Sequence, residues 1–139
     1  MTGLELGELK AALDLYASQY AATDKLWAYF SSVTLAVLGF SVASDKVSKS
    51  FTEASVVVIG YVVFCIGNFS ALYRSHQQLI EFAGIAGPVA LKYQVALTML
   101  EPIPAASVAR FYWAVVVAIS IGILFITWRR HGKPSASIS

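Results

Sequence analysis

Charge is what this sequence has least of. Ten Lys and Arg with eight Asp and Glu make up 13% of 139 residues, against roughly 25% in an ordinary soluble domain. A chain this small needs polar groups over most of its surface to stay in water, and these are too few. The single cysteine, Cys65, excludes an intramolecular disulfide and reads as a small apolar packing residue. There is no Gly-rich phosphate loop, no paired-cysteine metal spacing and no G-x-S-x-G elbow. His76 and His131 each stand within two residues of an Arg, with no second ligand in the pattern. No cofactor, metal or enzymatic activity is therefore expected, and neither nucleic acid nor a small-molecule substrate is indicated as a partner.

The gaps between the charges carry the architecture. None of the charged residues lies in 26–43, 54–73 or 111–128, windows of 18, 20 and 18 residues. At 1.5 Å per residue each window reaches roughly 27–30 Å, the thickness of a bilayer's hydrocarbon core. Long helices of a soluble bundle keep a charged outer face, and these have none. Three membrane spans are predicted. Backbone groups in lipid must be satisfied within the segment, so the Val-rich stretches 56–58 and 115–117 are expected to be helical despite their strand propensity. Aromatic rings flank the windows: Trp27 and Tyr29, Tyr73, then Phe111, Tyr112, Trp113 and Trp128. Such rings favour the membrane–water interface. Glu5, Glu8 and Asp14 stand where a cleavable signal would be basic, so the first span is expected to be retained.

Outside the windows, Thr2 and Glu5 have capping-box spacing. Leu6, Leu9, Leu13, Tyr16 and Tyr20 then draw one stripe at intervals of three and four. This predicts an amphipathic helix over residues 3–25. No Gly or Pro lies between Gly7 and Gly39, so the helix can run into the first span. Its polar face is acidic, and a lipid-surface helix is usually basic there. The stripe is therefore read as a contact for protein. The connection 44–53 is short and polar, with Ser50 and Glu53 repeating the capping-box spacing, so spans one and two should form an antiparallel hairpin. Beyond Tyr73 the helix should continue, with Arg74, Gln77, Gln78 and Glu81 on one side. Gly84 and Gly87-Pro88 are expected to break it, opening a short helix over about 88–101. Pro102 and Pro104 then restart the chain into span three. Residues 134–139 read as a disordered tail.

An odd number of spans would put the N-terminal helix and residues 74–107 on one face as a helical cap. Lys and Arg divide five and five between the two faces, so the positive-inside rule selects no orientation.

Within the spans, small residues recur at helical spacing: Gly39 and Ala43; Gly60, Gly67 and Ala71; Ala114, Ala118 and Gly122. Such rows let helix backbones approach closely where lipid supplies no hydrophobic drive. They are read as packing positions, either within one protomer or between copies. Ser31, Thr34 and Ser41 form a weak polar stripe on span one, and Asn68 lies in span two. These are candidates for lining a water path or for interhelical hydrogen bonds. No ionisable carboxylate or amine lies in a window, which disfavours proton-coupled transport.

In layout only, the chain is similar to phage holins, which can have three spans and a basic tail. It is also similar to the SLATT-type membrane effectors of prokaryotic conflict systems, which place a helix before a two-span hairpin and a helical extension after it. These resemblances imply a bacterial inner membrane and a membrane-perturbing role. The expectation is an all-α integral membrane bundle, one domain over 1–133, that associates with the lipid bilayer and other copies of itself as a homo-oligomeric pore. A protein partner could dock on the cap. The alternative is a non-catalytic accessory or assembly subunit of a larger membrane complex.

Overall fold

A computed structural model describes residues 3–94 and 101–131, apart from the side chain of Glu5. The described residues form four helices: α1 (Gly3–Ala43), α2 (Asp45–Lys49), α3 (Phe51–Lys92) and α4 (Ala105–His131). α1, α3 and α4 are each long and apolar enough to cross a membrane. α1 and α3, at 41 and 42 residues, reach roughly 60 Å, about twice a hydrocarbon core. α1 is unbroken from Gly3 to Ala43, as the absence of helix breakers between Gly7 and Gly39 suggested.

The helices contribute to two compact units. One contains 29–68 and 110–131. There α1 and α3 run antiparallel: Thr34 bonds to Tyr61, while Val37, Leu38, Val57 and Val58 join one cluster with Val47, Ala54 and Ile123. α4 runs antiparallel to α3 and parallel to α1. The buried positions are Phe30, Thr34 and Ser41 on α1, Ala54, Tyr61 and Cys65 on α3, and Tyr112, Val116, Ile123 and Thr127 on α4. Steps of four and seven mark one narrow coiled-coil seam per helix. Much of the remaining perimeter is apolar and exposed, including Leu35, Phe40, Val56, Ile59, Val63, Ile66, Val117 and Ile121. Soluble monomers rarely leave so much contiguous apolar surface open.

The connection between α1 and α3 contains a helical turn that the sequence reading did not anticipate. Ser44 caps α2 by accepting from the Val47 amide at 3.4 Å. Val47 and Ser48 are buried beneath it. Ser50 then accepts from the Glu53 amide at 3.4 Å, one half of the expected capping box. The Glu53 carboxylate pairs with Lys46 at 3.2 Å.

The other unit contains 3–28, 69–94 and 101–109. Tyr16 packs with Leu79 and Ala83, and Phe82 lies against them. Glu8 pairs with Lys92 at 3.8 Å. Here one expectation fails. α3 does not break at Gly84 or Gly87-Pro88; Pro88 lies inside the helix. The amide that Pro88 lacks would have bonded the Gly84 carbonyl. Both residues are exposed, so water can serve that carbonyl, and Gly84 brings no side chain to the ring. On the opposite face Ala83, Ala86 and Ala90 are buried and hold the turn in register. α3 ends instead at Lys92, where Gln94 takes a left-handed conformation (φ 56°) and its amide bonds the Leu91 carbonyl. Residues 95–100, the Thr2–Glu5 capping box and the 134–139 tail lie outside what is described. Pro104 does restart the chain: its carbonyl accepts from Ser107 and Val108 as α4 begins, six residues before the predicted span.

Candidate functional site

Nearly every small-residue position faces outward. Gly39, Ala43, Gly60, Gly67, Ala71, Ala114 and Ala118 are exposed and Gly122 is half-buried. A Cβ added at Gly39, Gly60, Gly67 or Gly122 would meet nothing within 4 Å. Close helix packing within the chain therefore does not require glycine at these four positions. The interior of the unit is filled by larger side chains on other faces of the same helices.

The polar positions separate differently. Thr34 Oγ1 and the Tyr61 hydroxyl lie 2.9 Å apart in the interior. Ser41 is buried and donates to the Val37 carbonyl of its own helix at 2.7 Å. Asn68 Nδ2 donates to the Tyr112 hydroxyl at 3.3 Å, which in turn donates to the Cys65 carbonyl at 2.9 Å. Ser31 is exposed. Thr34 and Asn68 thus make interhelical bonds, and only Ser31 of the α1 stripe remains on the outer surface.

Two hydroxyls at the centre of these bonds were not singled out in sequence. Tyr61 places a hydroxyl near the middle of a charge-free window, which was the available signal. Tyr112 was read with the interfacial rings. Phe111 and Trp128 are indeed exposed, but Tyr112 is 0% exposed, its ring 4.2 Å from that of Phe30. Its four-residue step to Val116 marks it as a seam position. At the far end of α4, Thr127 donates to the Val47 and Ile123 carbonyls at 3.4 and 3.1 Å.

In the other unit the N-terminal stripe divides. Leu9 and Tyr16 are buried and Leu13 is half-buried, whereas Leu6 and Tyr20 are 55% and 57% exposed. The inward row is Leu9, Tyr16 and Thr23, a seven-residue repeat. Beside it Gln19 donates to the Ser75 carbonyl and hydroxyl, both at 3.0 Å, and Thr23 Oγ1 lies 2.8 Å from Ser75 Oγ. Next to Ser75, His76 is buried and bonds the Ile103 carbonyl. In the unit of 29–68 and 110–131, His131 bonds the Lys49 carbonyl at 2.9 Å. Among the described residues, no three His, Cys, Asp or Glu side chains gather as a metal site.

No family model matches the chain, and neither the curated proteins nor the solved structures yield a match. The described residues define an all-helical protein with three helices fit by length and composition to cross a membrane.

Proposed function

We propose that the chain inserts as a multi-pass membrane protein and self-associates into a homo-oligomeric pore or membrane-perturbing assembly. One observation carries this reading: apart from the half-buried Gly122, the small-residue positions on all three long helices are exposed on the outer surface of the chain. Small residues on a lipid-exposed face contribute little to apolar area, and their use is close helix approach. The exposed positions Leu6 and Tyr20, left over from the N-terminal stripe, suit a contact surface for regulation or docking. Because Thr34 and Ser41 are occupied inside the protomer, the lining of any water path belongs to other residues.

Association is tested by the mass of the purified protein in mild detergent. Gly122→Ile and Gly60→Ile should lower it without changing helix content, since a Cβ at either position has open space around it. Unchanged mass removes the seam. Ion flux from liposomes should rise with protein density, and no flux at any density removes the pore. A monomer that co-purifies with other chains would instead support the accessory-subunit reading.

A further inference from the structure

The C-terminal ends of α1 and α4 lie side by side, held by Arg130, whose Nη1 donates to the Val42 carbonyl at 3.1 Å. That carbonyl is among the last four of α1, which have no acceptor role within their own helix. The bond fixes the guanidinium while leaving most of its five donors free. Beside it is a groove of about 300 Å³ lined by Val42, Phe125, Ile126, Arg129 and Arg130. Three walls are apolar and two are cationic. The exposed Trp128 ring lies 5.9 Å from Phe125 and extends the apolar side.

The charges around the groove do not cancel. The unit has two acids among its described residues, and both are engaged: Glu53 with Lys46 at 3.2 Å and Asp45 with Lys49 at 3.6 Å. Among the described residues, Arg129 and Arg130 have no carboxylate partner. We propose that this groove binds an anionic phospholipid, with its phosphate on Arg129 and Arg130 and an acyl chain along Val42, Phe125 and Ile126. Guanidinium forks match phosphate oxygens in pairs, and basic pockets between helices at the membrane rim are suited to acidic headgroups. A free phosphate would leave the apolar walls without a use. The site requires insertion in a bilayer and is independent of self-association.

The test is native mass spectrometry of the full chain in mild detergent, titrated with phosphatidylglycerol or with phosphatidylcholine of the same acyl chains. Phosphatidylglycerol should bind more tightly. Arg129→Gln, which breaks no hydrogen bond among the described residues, should weaken it about fivefold, and the R129Q/R130Q double variant about 25-fold. Arg110→Gln, at the other end of α4, should retain the wild-type affinity. Millimolar inorganic phosphate should not displace the lipid. Equal binding of the two lipids, unchanged affinity in Arg129→Gln, or displacement by phosphate would each overturn the site. The same spectra report oligomer mass, so a monomer that still selects phosphatidylglycerol sinks the assembly and leaves the groove intact.

Discussion

The Tyr112 hydroxyl donates to the Cys65 carbonyl at 2.9 Å while accepting from Asn68 at 3.3 Å, so one fully buried side chain ties α4 to two successive turns of α3. A helix carbonyl already accepts within its own helix, and the tyrosine uses its second lone pair. Tyr112→Phe keeps the ring against Phe30 and removes both bonds, leaving the Asn68 amide short of an acceptor. Reversible unfolding in mixed micelles should show a loss of about 1–2 kcal/mol. Tyr112→Ala should cost several times more, because it also opens a cavity.

Thr34→Val should act on stability alone. The swap preserves shape but removes one hydrogen-bond partner of the buried Tyr61 hydroxyl, at a cost of about 1 kcal/mol. Flux through liposomes should be unchanged, since the side chain faces the interior of the protomer. Altered ion selectivity in this variant would show that Thr34 reaches a water path after all.

Pro88→Ala restores the missing amide donor to Gly84 at an exposed position already helical. The melting temperature in detergent should rise, reflecting a gain of about 1–2 kcal/mol after allowing for the stiffer unfolded chain of the proline form. A lower melting temperature would mean that the ring makes a contact the helix needs.

Ala90 and Ala118 separate the two uses of small residues. Ala90 is 0% exposed, so Ala90→Leu should overpack its surroundings and destabilise the protomer by about 1–3 kcal/mol. Ala118 is exposed, and Ala118→Leu should leave protomer melting unaltered while reducing oligomer mass.

The three long apolar helices were legible because they follow from the spacing of charges, a signal that no tertiary contact rewrites. The end of α1 at Ala43 coincides with the last residue of the first charge-free window for that reason. Pro88 was misread because propensity assigns it a boundary, while exposure of its ring and burial of Ala83, Ala86 and Ala90 reverse the outcome. Tyr20 was placed on the contact stripe, yet Gln19 and Thr23 take the bonds to Ser75. Spacings of three and four admit both rows, and only the partner helix chooses between them. The outward direction of the small-residue rows was likewise undetermined, since a glycine row has the same sequence whether it meets its own protomer or another.

The bond from Arg130 to Val42 brings the finishing ends of two parallel helices to one rim, where α3 also begins. Each peptide dipole sum is equivalent to roughly half a charge at a helix end. Two negative ends and one positive end leave about half a negative charge uncompensated there. A bundle with an odd number of helices cannot cancel itself, so this one is electrically polar along its axis before any side chain is counted. Arg129, Arg130 and His131, all in the last turn of α4, stand at the end where that polarity favours cations.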